Sequence, residues 1–163
     1  DPANFTGDTR LVRDIILKYL LRGVMRYDEE ERQNYTIIDL EKTVSYRYPI
    51  YNNRFVSLEG RADRIDMLDD GTLQVIDYKS GNNEHIKFNN IHSLFHGKAQ
   101  ERIDNIFQTL LYSVILFHGR GKDVVPSLYF ALKMINKGYN PNIRYMNVDG
   151  MLPFENMFRV PFC

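Results

Sequence analysis

The dipeptide Asp70-Gly71, set between two runs of strand-forming residues, restricts what this chain can become more than any other feature of it. Asp-Gly flanked by β-formers is among the strongest hairpin signals, because the tight turn needs residues that tolerate positive φ. Upstream lies Gly60-Arg61-Ala62-Asp63-Arg64-Ile65-Asp66 and downstream Leu73-Gln74-Val75-Ile76-Asp77-Tyr78-Lys79-Ser80-Gly81, so two antiparallel strands are expected. Side chains alternate faces along a strand, which places Asp77 and Lys79 on one face and turns Tyr78 away. With Asp63 facing the same way, two carboxylates and a lysine meet near the strand ends, where a hard divalent cation could bind.

The totals narrow the setting. At 163 residues the chain is expected to be a single domain, residues 1–163, long enough to bury a core. Lys+Arg and Asp+Glu are both 21, so no global basicity announces a nucleic-acid partner, and any such binding needs local patches. The one cysteine, Cys163, has no partner for a disulfide or a multi-cysteine metal site in these residues, which fits a reducing, cytoplasmic compartment. No apolar run has the length of a membrane span, so no membrane association is expected. The chain starts Asp1-Pro2-Ala3-Asn4 without Met and stops on Val160-Pro161-Phe162-Cys163, so a fragment of a larger protein is expected.

Along the chain, residues 8–27 read as an amphipathic helix capped by Asp8 or Thr9. Val12, Ile16, Leu20 and Val24 form the apolar stripe, and Arg10, Lys18, Arg22 and Arg26 a basic, solvated one. The acidic run Asp28-Glu29-Glu30-Glu31 then reads as exposed. Residues 35–48, carrying Ile37, Ile38, Leu40, Val44, Tyr46 and Tyr48, have strand character, Asn52-Asn53 signals a turn, and residues 54–66 form the next extended segment. After Ser80-Gly81-Asn82-Asn83, residues 82–100 show no clean period. A second helix is expected over residues 101–118, burying Ile103, Phe107, Leu110, Val114 and Phe117, with Gln108 and Tyr112 adjacent on one side and Gly119-Arg120-Gly121 ending it. Residues 127–135 read as a buried strand, 136–142 as turn material and 143–148 as another strand. The order helix, strands, helix, strand implies an α/β fold, a mixed sheet flanked by helices.

An acid-x-Lys triplet arises about once by chance in a chain of this size, so Asp77-Tyr78-Lys79 means little alone and as an exposed ion pair would contribute only ~0.2–1 kcal/mol. Its context gives it meaning: it ends an apolar strand and faces Gly60-x-x-Asp63 across a tight hairpin. Cleaving a phosphodiester requires charge neutralisation at a phosphoryl oxygen and an activated water. Asp63 and Asp77 could hold Mg2+ with waters completing its shell, and the Tyr78 carbonyl could be a third oxygen ligand. Lys79 could orient the attacking water or stabilise the developing charge, and Gln108 and Tyr112 could hold the nucleic-acid backbone or a base.

Gly60-x-x-Asp63-Arg64-Ile65-Asp66, then Asp77-Tyr78-Lys79-Ser80-Gly81, then Gln108-x-x-x-Tyr112 resembles the RecB-type branch of the PD-(D/E)XK nuclease superfamily. The match covers about residues 41–115 and is most similar to nuclease domains of AddB-like helicase–nuclease subunits. The resemblance implies a restriction-endonuclease-like fold and Mg2+- or Mn2+-dependent cleavage of DNA in repair or recombination, with a helicase subunit or domain as partner. It implies Asp63 and Asp77 as metal ligands, Lys79 as the catalytic lysine, and Gln108 and Tyr112 as the motif that follows them.

Two features of that pattern are missing. An upstream metal-ligating His is usual, yet the first histidine here is His85, and the C-terminal iron–sulfur cysteines of AddB-like relatives are reduced to Cys163, so a cluster is expected only in the parent protein. Glu41 could complete the metal site, while Asp66 lies on the opposite strand face from Asp63. His92 and His96 have helical metal spacing but no third ligand in sequence. The alternatives are a non-catalytic nucleic-acid-binding or scaffold domain that keeps the fold, and a small-molecule hydrolase using the two aspartates.

Overall fold

The computed structural model describes residues 7–32, 34–81, 86–88, 91–95, 104–147 and 150–152. Its helical start runs without interruption through α1 (Gly7–Tyr19), a π-helical segment (Leu20–Met25) and α2 (Arg26–Glu30). The helix is where the periodicity predicts, but its stripe is not buried: Val12, Ile16 and Leu20 are about half exposed and Val24 alone of the four is covered. Contact with the body is made through the π segment, which buries Gly23 and Val24. A Cβ on Gly23 would lie 3.0 Å from the Ala131 carbonyl oxygen, so glycine allows the close approach. The acidic run is exposed at Glu29 and Glu30 as expected but is corrected at Asp28. Helical spacing puts Asp28 beside Arg32 at i+4, and its side chain is buried against Arg64 and Tyr129 instead of facing water.

Three strands follow, β1 (Tyr35–Ile50), β2 (Arg54–Leu68) and β3 (Leu73–Lys79), joined by two tight turns. Asn52 and Asn53 take φ of 59° and 55°, which asparagine tolerates better than most residues. At the second turn Gly71 takes φ of 85°, and Asp70 Oδ1 accepts the Thr72 N–H at 2.8 Å. From β3 the chain crosses over through α3 (Asp104–Arg120) to β5 (Val124–Phe130), which pairs parallel to β3, giving the sheet order β1-β2-β3-β5. The strand expected over 127–135 thus begins earlier and ends at Phe130. Pro126 is compatible because β5 is at the edge of this sheet. A small second sheet joins β4 (Lys87–Phe88), β6 (Arg144–Asn147) and β7 (Gly150–Leu152).

Helices cover both faces of the four-stranded sheet. Ile65, Val75, Leu73 and Val44 pack under Tyr112, Ile115 and Leu116 of α3, while Ile76 and Tyr129 pack with Val24 and Tyr27 on the other side. This is the mixed α/β sheet flanked by helices that the element order predicts. The buried face of α3, however, is rotated from the expected one: Phe107 is exposed and Val114 and Phe117 are only partly covered, whereas Thr109 and Ser113 are fully buried. Their hydroxyls donate back to the carbonyls of Asn105 (2.9 Å) and Thr109 (3.0 Å), so burial leaves no polar group unpaired. Ile103, His85, His96 and Cys163 lie outside the described residues, and His92 sits in a short 3-10 turn, Ile91–Leu94.

Candidate active site

The hairpin strands part where the acidic residues lie. The β2–β3 ladder ends at Arg64↔Ile76, so the next pair in register, Asp63 and Asp77, falls just past its last rung. Two further irregularities meet there. Ala62 and Ile65 both lie under α3 although they are three apart, so the alternation of β2 is broken between them. Opposite this break on β1, Glu41 takes φ of 49°, a conformation seldom adopted by residues other than glycine, asparagine and aspartate. Asp63 sits in the break, and its Oδ2 accepts the Tyr78 backbone N–H at 2.8 Å, occupying the place of a ladder carbonyl.

Asp77 is nearly buried and Lys79 places its Nζ 2.7 Å from Asp77 Oδ2. The two form an ion pair without hydrogen-bond alignment, leaving that buried oxygen otherwise unpartnered. Burial pushes the Asp77 carboxyl above its ordinary range. Lys79 works against that shift and the nearby Asp63 charge adds to it. Lys79 Nζ also donates to Gln108 Oε1 at 3.3 Å, and Gln108 Nε2 donates to the Tyr112 hydroxyl at 2.7 Å. The structure therefore brings Asp63, Asp77, Tyr78, Lys79, Gln108 and Tyr112 to one end of the sheet. Gln108 and Tyr112 meet Lys79 there directly, a contact that motif spacing alone did not give.

Gly60 has a role in this arrangement that sequence reasoning missed. A Cβ at this position would overlap the Tyr112 ring, so only glycine lets α3 lie close enough for Gln108 to reach Lys79. The signal was present in Gly60-x-x-Asp63, but what the glycine faced was not. Glu41 is exposed and pairs with Arg61, Nε to Oε2 at 3.0 Å.

Asp66 lies on the other face of the sheet, in a network of two acids and two arginines. Its Oδ1 accepts from Arg64 Nε and its Oδ2 from Arg32 Nη1, both at 2.8 Å. Arg64 Nη1 donates to Asp28 at 2.6 Å and to the Tyr78 hydroxyl at 3.1 Å, and Arg32 Nη2 donates to Gln74 at 2.7 Å. Burial alone would depress Arg64, but its hydrogen bonds to Asp66, Asp28 and Tyr78 outweigh that and hold it above its ordinary range. Tyr78 therefore spans the sheet: its phenol is fixed by Arg64 on one face while its backbone N–H holds Asp63 at the other.

A divalent cation suits the front cluster. Its donors are oxygens, and an under-partnered buried carboxylate oxygen with a second carboxylate nearby is the environment a hard cation relieves. Among the described residues no group of three or more His, Cys, Asp or Glu gathers as a metal cage, so two carboxylates plus water and backbone oxygen would have to serve. Magnesium is commonly bound in that way.

A sequence model of the PD-(D/E)XK nuclease superfamily matches residues 4–156 of the chain. No curated protein matches it.

Proposed function

Since the chain belongs to the PD-(D/E)XK nuclease superfamily, whose fold is restriction-endonuclease-like and whose members are generally metal-dependent nucleases, we propose that it hydrolyses DNA phosphodiester bonds at the Asp63–Asp77–Lys79 cluster. The observation that carries this reading is Asp77 Oδ2, buried at the open end of the hairpin with only an oblique ammonium beside it.

In this reading Asp63 and Asp77 hold Mg2+ or Mn2+. The Tyr78 carbonyl joins them, because a strand residue's C=O points to the same side as its N–H, here into the gap beside Asp63. When bound there, the cation would supply charge neutralisation at a phosphoryl oxygen and a water acidic enough to attack at neutral pH. Lys79 orients that water and stabilises charge developing on the phosphorus oxygens. Gln108 holds the ammonium in place, and Tyr112 holds Gln108. Gln108 and Tyr112 are thus positioning residues before they are substrate contacts. Because burial raises the Asp77 carboxyl in the metal-free protein, protons should compete with the cation at a higher pH than they would at an ordinary aspartate.

The three motifs further support a place in the RecB-type branch, near AddB-like nuclease domains, and a role in DNA repair or recombination beside a helicase subunit in the cytoplasm. The test is incubation of linear single- and double-stranded DNA with the protein and Mg2+ or Mn2+, alongside Asp77→Ala and Lys79→Ala. Metal-dependent cleavage in the wild type, reduced about a hundredfold or more in both variants, is expected. Binding without cleavage in all three proteins would overturn it in favour of a non-catalytic nucleic-acid-binding domain.

A further inference from the structure

β1 and β2 are much longer than the strands beside them. Continuing the hairpin register puts Lys79, the last residue of β3, level with Arg61, so β2 runs on from Gly60 to Arg54 beyond the end of β3, with no third strand among the described residues. That is an arm of roughly 20 Å at ~3.3 Å per residue, rising from the end of the sheet where the candidate active site lies. Its base is held to α3, where Tyr46 and Tyr48 pack on His118 at ring distances of 5.3 Å. Beyond that base, residues 49–57 are all exposed.

The arm's composition departs from that of the chain. From residue 42 to 61 it carries Lys42, Arg47, Arg54 and Arg61 against Glu59 alone, in a protein whose charges sum to zero, so the rest of the chain is net acidic. Lys42 and Arg61 are engaged by Asp39 and Glu41, but Arg47 and Arg54 have no carboxylate partner among the described residues. Arg47 instead lies over the Phe55 ring at 4.4 Å, with Phe55 half exposed, and Tyr51 at the turn is 86% exposed. Exposed aromatics interleaved with unpaired arginines suit a chain of phosphates whose bases are free to stack. A duplex keeps its bases stacked internally and cannot use the rings in that way.

We propose that this arm is a guide for single-stranded DNA, with Arg47 and Arg54 on phosphates and Tyr51 and Phe55 under bases, leading the strand to the Asp63–Asp77–Lys79 cluster. The inference rests on the nuclease reading and adds the substrate's form and its path. The test is fluorescence anisotropy with an end-labelled oligothymidylate in EDTA, so that binding is read apart from cleavage. The full chain is compared with Arg47→Ala/Arg54→Ala and Tyr51→Ala/Phe55→Ala.

Each double variant should bind about tenfold or more weakly. The log–log salt slope should lose about 0.7 for each arginine removed and stay unchanged for the aromatic pair. All four positions are exposed, so circular dichroism and melting temperature should match the wild type. Equal binding by the variants, tighter binding of duplex than of single strand, or self-association of the wild type that the variants abolish would each overturn the proposal. If the wild type cleaves with metal while arm variants bind normally, the arm reading alone fails. If it neither binds nor cleaves, the nuclease reading fails with it.

Discussion

The two faces of the sheet carry two clusters of acidic and basic side chains, and they are put together differently. On the α2 side, Asp28 and Asp66 meet Arg32 and Arg64, so acids and bases balance and each guanidinium makes several hydrogen bonds. On the α3 side, Asp63 and Asp77 meet only Lys79 among the described residues, and Asp77 Oδ2 has no aligned donor. The first cluster is balanced in charge, although Arg64 Nη2, 2.8 Å from Asp66 Oδ2, is also a buried atom without an aligned hydrogen bond. The second, among the described residues, sets two carboxylates against one ammonium at the open end of a hairpin, where we propose that a cation binds. A balanced buried network specifies a fold, whereas an unbalanced one marks a place for a ligand.

The same substitution should therefore act in opposite directions on the two faces. Asp66→Asn leaves Arg32 and Arg64 with a single acid between them and should cost about 3–5 kcal/mol in urea unfolding, since breaking a buried pair strands a charge. Against a typical total of ~5–15 kcal/mol, that is enough to threaten folding at elevated temperature. Little loss of stability would break the comparison at its firmest point. Next in size, Gly60→Ala forces a methyl into the Tyr112 ring and should cost about 1–3 kcal/mol by overpacking. Cleavage should fall as well, as Gln108 loses its place beside Lys79.

Tyr78→Phe removes one acceptor from Arg64 and should cost about 1 kcal/mol, with the Asp77–Lys79 pair untouched. The smallest effect has the opposite sign. Burial raises the Asp77 carboxyl, so its protonated form is favoured in the folded protein; that stability is present below the ordinary carboxylate pKa and is lost as pH rises through the raised value. At neutral pH the ionised group costs stability, and Asp77→Asn should raise the melting temperature in metal-free buffer. A lower melting temperature would mean that the front cluster is structural, like the back one.

The hairpin at Asp70-Gly71, the three long strands and the crossover helix were legible in the sequence because turn chemistry and apolar runs act locally. The buried faces of the helices were not. The apolar residues of the first helix follow a helical period, yet Val12, Ile16 and Leu20 stay about half exposed, and period alone cannot say what a face meets. Thr109 and Ser113 are polar by composition and buried by virtue of hydrogen bonds within their own helix. Asp28 looked like surface because it stands in an acidic run, and its partners Arg64 and Tyr129 are distant in sequence. At the candidate site, simple alternation placed Asp77 beside Lys79. The position of Asp63 depends on a break in the pleat, and that of Gln108 on the missing Cβ of Gly60, neither of which strand periodicity contains.

The central claim is that the excess acid on the α3 side is a cation site, and isothermal titration of Mn2+ into the metal-free protein, without DNA, tests it most directly. The wild type should bind the ion and gain thermal stability with its concentration, as a ligand specific to the folded state must confer. Asp77→Asn should lose both the heat and the stabilisation while remaining folded. An identical titration for the two proteins, or no binding by the wild type, would contradict the account.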